Sequence, residues 1–179
     1  PERELSRRAP LIANIIGLNA SEFAAIAREI APLRPDLFEV NLSTPTFLSL
    51  RGKLFAEDEK EVADILGAVK REIGRIPMFV KLTPNVPNIG EIAVAAVSSG
   101  ADGITAINTV GPGMAIDLRS RMPILAAHKG GLSGPGLKPI AVRCIAEIYE
   151  ATEGKVPIIG MGGVFTGEDA VELLLAGAS

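Results

Sequence analysis

The chain has 179 residues, of which 47% are hydrophobic and 22% are charged, with 18 Lys and Arg against 21 Asp and Glu. This hydrophobic fraction excludes a disordered chain, whose core would be too small to offset the entropy of ordering. A net charge of −3 without a basic run argues against nucleic acid or an anionic membrane as main partner. One cysteine excludes a disulfide framework, and no apolar run approaches the roughly 18–20 residues of a membrane span. We expect a soluble, cytoplasmic protein with a single domain over residues 1–179.

Short apolar runs alternate with longer amphipathic segments along the whole chain. Each run has about five residues and is bounded by Pro, Gly or Asp, as in strands that are covered on both faces of a parallel sheet. The predicted strands are Leu11–Ile15, Leu37–Leu42, Met78–Leu82, Gly103–Ile107 and Val156–Ile159. The pattern predicts a parallel α/β fold of five βα units.

The amphipathic segments carry residues that start or stop helices. Ser21 is predicted to cap the first helix, and Gly74 to end the second. The fourth helix presents an apolar face from Ile140 to Ile148. Side chains suited to a capping box precede the third and the last helix: Asn88 with Glu91, and Thr166 with Asp169.

Periodicity alone leaves two parallel architectures open. A doubly wound open sheet is one, although no GxGxxG or P-loop follows the first strand. A (β/α)8 TIM barrel is the other, and it is favoured because polar or glycine residues end each successive strand. A closed barrel typically needs about 200–250 residues. We therefore expect this chain to hold about five βα units of a barrel, as a fragment or an incomplete part of a longer protein.

The longest stretch without a repeating pattern is Thr109–Gly136, which contains six glycines. Loops of this length inside compact domains are usually functional or disordered. The apolar segments Met114–Ile116 and Ile124–Ala127 favour an ordered stretch with short added strands.

Polar residues follow the predicted strands, where parallel α/β folds bind their ligands. In chain order they are Asn14, Asn41 with Ser43, Lys81, Asn108 with Thr109, and the run Gly160–Gly163. Together they predict one cavity that is rich in hydrogen-bond donors and suits an electron-rich polar ring or an anion. Two structural alternatives remain for Lys81: it extends to the surface, or it is neutralised by Glu39 in a purely structural pair.

The run Gly160–Gly163 follows a predicted strand and precedes a predicted helix. Glycines in this position let backbone N–H groups approach an anion closely, and the helix dipole adds attraction. A second glycine-rich stretch lies at Gly130–Gly136. The two stretches together predict a phosphate-binding site.

Five segments resemble the dihydroorotate dehydrogenase family, most closely the class-1 branch that works with an iron–sulfur/FAD electron-transfer subunit. They are Asn41-Leu42-Ser43-Thr44-Pro45, Val80-Lys81-Leu82-Thr83-Pro84-Asn85, Ile107-Asn108-Thr109, Gly130-Gly131-Leu132-Ser133-Gly134-Pro135 and Ile159-Gly160-Met161-Gly162-Gly163. The resemblance runs from about Pro10 to Ser179. It implies an FMN-containing barrel, of which this chain holds strands three to seven. It also implies oxidation of dihydroorotate to orotate in pyrimidine biosynthesis, and family members are commonly homodimers.

The resemblance also implies roles for individual residues. Lys81 would stabilise negative charge on the reduced flavin. The other positions implied to bind the cofactor are Asn14, Asn41, Ile107, Gly134, Gly162 and Gly163. Those implied to bind the substrate are Asn41, Asn108 and Thr109.

Two positions depart from the class-1 pattern. Thr44 stands where class-1 enzymes carry the Cys that removes a proton from dihydroorotate, and Thr46 replaces a substrate-binding Asn. Class-2 enzymes use a Ser hydroxyl base, and Leu50-Arg51 resembles the Leu-Arg that follows their motif. A hydroxyl base is far from the ideal acidity near operating pH and needs a proton relay.

Three hypotheses follow. The first is an FMN-dependent oxidoreductase acting on a CH–CH bond, with Thr44 and Lys81 as catalytic residues. The second is a barrel that keeps FMN or a phosphorylated metabolite but has lost or altered turnover, and the third is a phosphosugar isomerase or aldolase. No motif predicts a metal site, His128 is expected at the surface, and Cys144 is expected in the core.

Overall fold

The structure is a computed structural model that describes residues 9–43, 55 and 59–179. Its strands are β1 Ile12–Ile15, β2 Leu37–Asn41, β3 Met78–Leu82, β4 Gly103–Ala106, β5 Val110–Gly113, β6 Ile116–Asp117, β7 Met122–Pro123, β8 Gly130–Leu132 and β9 Ile158–Gly160. Its helices are α1 Ala20–Ile30, α2 Glu59–Ile73, α3 Ile89–Ser98, α4 Lys138–Ala151 and α5 Gly167–Leu175. Short 3-10 turns at Ala31–Leu33 and Pro135–Leu137 follow α1 and precede α4.

Five strands form one parallel sheet in the order β1-β2-β3-β4-β9. Within this sheet, each strand lies beside the sheet strand that comes before it along the chain. Consecutive helices pack against each other. A doubly wound sheet reverses its strand order at a switch point. The described strands show no such reversal, so the open-sheet alternative is wrong and the order is that of a barrel.

The two faces of the sheet differ in chemistry. Side chains that alternate along β2 to β4, such as Phe38, Val80 and Ile104, belong to one apolar core with residues of the helices. The opposite face, which we call the inner face, carries Glu39, Asn41, Lys81 and Thr105. The predicted polar residues therefore occupy the face that the described helices leave uncovered.

A close packing contact lies on the inner face below Lys81. Phe79 and Gly103 are register partners on β3 and β4. A Cβ atom on Gly103 would lie 2.3 Å from the ring of Phe79, so the ring covers the glycine backbone directly. A side chain at position 103 would therefore require the ring of Phe79 to move.

The predicted helix boundaries are confirmed with one exception. Gly74, with φ of 62°, follows the last residue of α2. Thr166 and Asp169 form a reciprocal capping box at α5, and Asn88 caps α3 by accepting from the Glu91 amide.

The exception is the cap of α1, because Ser21 does not occupy that position. Asn19 caps the helix, and its side chain accepts from the amide of Glu22. Ser21 lies inside the first turn, where its hydroxyl donates to Asn19 Oδ1 at 2.6 Å. The prediction failed because two side chains able to cap are only two residues apart, and the helix begins at the earlier one.

The segment 109–136 contains short added strands, but not where its apolar segments predicted them: only Ile116 of Met114–Ile116 lies in a strand, and Ile124–Ala127 forms a turn after β7. β5 pairs with β8 and β6 with β7, each antiparallel. No helix in residues 9–43 or 59–179 combines the length and the apolar character needed to cross a bilayer.

Candidate active site at the carboxyl ends of the strands

The predicted site residues of β2 and β3 lie side by side on the inner face. Asn41 is the register partner of Lys81, and Lys81 is the partner of Thr105. Partners on neighbouring strands point to the same face of a sheet. Lys81 keeps 18% of its side-chain surface exposed, so it belongs to the site and does not extend to the outer surface.

A buried carboxylate joins two of the predicted donors. Glu39 is 5% exposed, and its Oε1 lies 3.4 Å from Lys81 Nζ. The same oxygen accepts from Asn14 Nδ2 at 2.5 Å. Asn14 is therefore held on the inner face beside Glu39, and the ion pair with Lys81 that the sequence left as an alternative is present.

A second polar network connects β2 to the end of β4. Asn108 Nδ2 lies 3.2 Å from Asn41 Oδ1 and 3.1 Å from the carbonyl oxygen of Ser43. Ser43 Oγ donates to the backbone carbonyl of Lys81 at 2.8 Å. These bonds fix the orientation of the two amide side chains, because each of their carbonyl groups is already engaged: Asn108 Oδ1 accepts from the amide of Thr109.

Asn85 has a structural role that the sequence analysis did not assign. Its Nδ2 donates to the carbonyl oxygen of Thr109 at 3.1 Å, and its Oδ1 accepts from the amide of Gly111 at 3.1 Å. Asn85 therefore anchors the start of the 109–136 segment to the loop after β3. The Thr83-Pro84-Asn85 sequence signals a turn at this point, but the partner of that turn depends on the fold.

A cavity of about 470 Å³ opens between the ends of β3, β4 and β9. Its lining brings together six of the predicted site residues: Lys81, Ile107, Asn108, Thr109, Gly162 and Gly163. Three predicted residues do not line the cavity directly: Asn14, Asn41 and Gly134. Asn41 contacts the lining residue Asn108, and Gly134 lies against the lining residue Gly163. Asn14 contacts Glu39, which is the ion-pair partner of the lining residue Lys81. Thr44, Thr46 and Leu50-Arg51 lie outside the described residues, so the predicted base stays a prediction.

The glycine loop after β9 meets the second glycine-rich stretch, as the sequence predicts. Gly163 has φ of 73°, which side chains rarely adopt. A Cβ atom there would lie 2.7 Å from the amide nitrogen of Lys138 and 2.9 Å from the carbonyl oxygen of Gly134. The two loops are in such close contact that position 163 has no room for a side chain.

An ionic cluster behind this loop joins the starts of α4 and α5. Lys138 Nζ lies 2.8 Å from Asp169 Oδ1 and 2.6 Å from Glu172 Oε2. Asp169 Oδ2 also accepts from the amides of Phe165 and Thr166. The hydrogen bonds that Lys138 donates to Asp169 and then to Glu172 raise the pKa of Lys138. The bond from Lys138, followed by those from the two amides, lowers the pKa of Asp169.

This cluster engages two amides just before α5, and the predicted phosphate site stays a prediction. The carboxylate of Asp169 already accepts from amides at the N-terminus of α5. Those amides are therefore engaged by the capping box itself. The groups at this end that line the cavity belong to Gly160–Gly163.

Thr105 carries a polar group without a partner among the described residues. Its side chain is fully buried, and its Oγ1 has no hydrogen bond within the structure. A buried hydroxyl without a partner costs about 1–3 kcal/mol. Thr105 shares the inner face with its register partner Lys81, but it is not among the residues that line the cavity.

The other candidates from the sequence are placed as expected. His128 is exposed, and Cys144 is buried in the core, where burial raises the pKa of its thiol. The residues that the structure describes hold no group of three His, Cys, Asp or Glu side chains arranged for a metal ion. A larger groove of about 800 Å³ lies on the outer side, among α2, α3 and α4, and none of the predicted site residues lines it.

Comparisons with known proteins agree with this geometry. The family model described as dihydroorotate dehydrogenase matches residues 2–179. The chain is 47% identical over 169 residues to a protein of Alkaliphilus metalliredigens named dihydroorotate dehydrogenase B (NAD(+)), catalytic subunit, with 94% of this chain and 54% of that protein covered. A protein of the same name from Methanosarcina mazei is 46% identical, with 96% of this chain and 53% of that protein covered.

The fold has a solved counterpart. A crystal structure of dihydroorotate dehydrogenase from Eimeria tenella in complex with ferulenol superposes with a TM-score of 0.77 at 25% identity, covering 98% of this chain and 52% of that one. The fold is thus part of a (β/α)8 barrel with its polar site at the carboxyl ends of the strands, which confirms the predicted fold class. The chain belongs to the dihydroorotate dehydrogenase family. It spans about half the length of the curated relatives it matches.

Proposed function

We propose that the protein is the FMN-binding, catalytic part of an oxidoreductase that converts dihydroorotate to orotate, a CH–CH oxidation of pyrimidine biosynthesis. The observation that carries the proposal is the shared cavity, in which one ammonium group, an amide network and a glycine loop face the same space. The names of the relatives support the choice of substrate. The assignment of the five strands to barrel positions three to seven belongs to the same proposal.

Three features of the described residues fit FMN. The cavity volume lies in the range of about 300–1,000 Å³ that is typical of small-molecule sites. Gly162 and Gly163 line the cavity and are partly exposed, so their backbone is accessible to a phosphate. Lys81, Asn108 and Thr109 line the same cavity and bring an ammonium group and hydrogen-bonding groups to it. The cavity therefore offers a cation, hydrogen-bonding groups and a glycine loop to one ligand.

When bound, FMN supplies the redox chemistry by accepting two electrons from the substrate. Lys81 holds a positive charge at the inner face and stabilises the negative charge that reduction creates. Ile107, at the end of β4, lines the cavity and excludes water from one side. Gly134, Gly162 and Gly163 are proposed to surround the phosphate end, and Asn14 and Asn41 to hold the ring end.

The substrate side is proposed to consist of Asn41, Asn108 and Thr109. The hydrogen bond between the two Asn side chains orients their amides before a ligand arrives, which reduces the cost of ordering them on binding. Thr44 is proposed as the residue that takes or relays the proton leaving the substrate carbon. Thr44 follows Ser43 in the sequence, and the main-chain carbonyl of Ser43 accepts a hydrogen bond from Asn108.

The relatives are named catalytic subunits of an NAD(+)-linked enzyme. We therefore propose an electron-transfer subunit as partner, and a homodimer as the assembly of the catalytic chain. Residues 1–179 are proposed to belong to a single domain, since the described strands share one sheet and one core.

An anaerobic titration tests the function in the full-length protein that contains this chain. We expect the purified protein to show the absorption of bound flavin, and dihydroorotate to bleach it. Bound flavin that dihydroorotate does not bleach, while dithionite does, would favour a flavin-binding homologue with lost or altered turnover. A protein that binds no FMN would contradict the proposal altogether.

A further inference from the structure

Glu39 is unusual because it places a buried carboxylate in a site otherwise built from donors. It is 5% exposed and lies on the inner face of β2, two residues before Asn41. Buried carboxylates are rare unless they are paired and hydrogen-bonded. The residue therefore needs an explanation beyond filling space.

Its hydrogen bonds connect it to the two residues proposed to face the ring of the cofactor. A single oxygen, Oε1, lies 3.4 Å from Lys81 Nζ and accepts from Asn14 Nδ2. The positions are fixed by the sheet, since Asn14 and Glu39 are register partners on β1 and β2. Glu39 thus orients an ammonium group and an amide through the same atom.

The charge of Glu39 has a consequence that its hydrogen bonds do not have. A carboxylate beside an ammonium group cancels part of the positive potential that the ammonium projects into the cavity. Reduction adds negative charge to the flavin, so a weaker positive potential makes reduction less favourable. The electrostatic effect is large here because both groups are mostly shielded from water.

We propose that Glu39 is a positioning residue that sets the reduction potential of the bound flavin by cancelling part of the positive potential of Lys81. The inference rests on the proposed function, because it assumes FMN in the cavity. It predicts that Glu39 lowers the affinity for the reduced cofactor more than the affinity for the oxidised one. A purely structural ion pair would change both affinities together.

Glu39→Gln separates charge from shape, since the amide keeps an oxygen for Asn14 and Lys81. We expect the equilibrium constant for two-electron reduction of bound FMN to rise by about tenfold, or about 30 mV in midpoint potential. The affinity for oxidised FMN should change by less than about threefold. Spectroelectrochemical titration of the full-length protein gives the potential, and fluorescence titration gives the affinity.

Glu72→Gln is the matched control. Glu72 forms a bidentate ion pair with Arg28 between α2 and α1, on the helical side of the sheet. This substitution also removes one charge from one ion pair, but we expect the flavin potential to stay at the wild-type value. Glu39→Asp, which keeps the charge, should also stay close to that value.

The outcomes are decisive in each direction. An unchanged or lower potential in Glu39→Gln would overturn the inference while leaving the proposed function intact, provided that the wild type binds FMN. If Glu39→Gln does not retain FMN, Glu39→Met tests the same loss of charge, and loss of FMN in both would show a structural role and also overturn it. Absence of FMN from the wild type would instead refute the proposed function.

Discussion

The two halves of the candidate site are made from different chemical groups. On β1 to β3 the site is formed by side chains, and Glu39 holds Asn14 and Lys81 with one oxygen. After β9 it is formed by main chain, with Gly163 packed against Gly134. The side-chain half can be changed by isosteric substitution without moving the backbone. At Gly163 this is impossible, because a single methyl group there has no space.

The largest effect is expected in the glycine half. Gly163→Ala places a methyl group 2.7 Å from the Lys138 amide nitrogen at a φ of 73°, so the loop must shift. Strain of this kind costs about 1–3 kcal/mol, and we expect FMN affinity to fall by about 100-fold in a fluorescence titration.

Gly167→Ala is the control for that substitution. Gly167 begins α5 only four residues further on, and a Cβ atom there meets nothing within 4 Å. We expect wild-type affinity for FMN. Equal losses in the two variants would show that the close approach at Gly163 does not matter to binding.

A substitution in the side-chain half should reduce the affinity for FMN less than Gly163→Ala does. It should instead reduce the stabilisation of the negative charge on the reduced flavin. Lys81→Met keeps the length of the side chain and removes its charge. Because hydrogen bonds to charged groups contribute about 1.5–3 kcal/mol, we expect reduction of bound flavin by dihydroorotate to slow by about 10–100-fold in stopped-flow absorbance.

Lys155→Met controls for the loss of a lysine in an ion pair. Lys155 pairs with Glu153 at the exposed end of α4, and its side chain is 73% exposed. Reduction kinetics should match the wild type. If Lys81→Met also matches it, the ammonium group has no role in the reaction.

The smallest effect concerns the support behind the glycine half. The pKa of Asp169 lies below its usual value in the folded protein, so its stabilisation is full above the unfolded pKa of about 3.9 and is lost as pH falls through the folded value. Asp169→Asn should lower the melting temperature by a few degrees at neutral pH, and the difference from the wild type should shrink below about pH 4.

The exposed residue Asp64 on α2 provides the comparison for this variant. Asp64→Asn should leave the melting temperature unchanged across the same pH range in differential scanning calorimetry. A constant difference between Asp169→Asn and the wild type down to strongly acid pH would contradict the role given to its carboxylate.

Local features of the fold could be predicted because they depend on neighbouring residues. Met78–Leu82 is a strand with the predicted bounds, since its apolar run is continuous and flanked by turn residues. Thr166 and Asp169 form the predicted box because the two side chains satisfy each other's backbone amides. Ser21 shows the limit of this reasoning, because Asn19, two residues earlier, can cap as well and is the residue at which the helix begins.

Features of the site that depend on register between strands could not be predicted. Lys81 was found because it lies near the end of a strand. Its contact with the Glu39 oxygen that also binds Asn14 requires three strands in a particular alignment. The buried hydroxyl of Thr105 gives no signal in a strand-forming sequence, since Thr is common in strands. Asn85 was not assigned a role, because its partner Gly111 belongs to a segment whose path no local pattern reports.

The contact of Phe79 with Gly103 makes the size of one residue depend on the other. Two adjacent strands share one volume on the inner face, with the aromatic ring filling the space that a side chain at position 103 would need. Relatives that carry a larger residue at the second position should therefore carry a smaller one at the first. The two positions are thereby coupled: enlarging residue 103 alone would cause a clash, and shrinking residue 79 alone would leave a cavity beside the glycine.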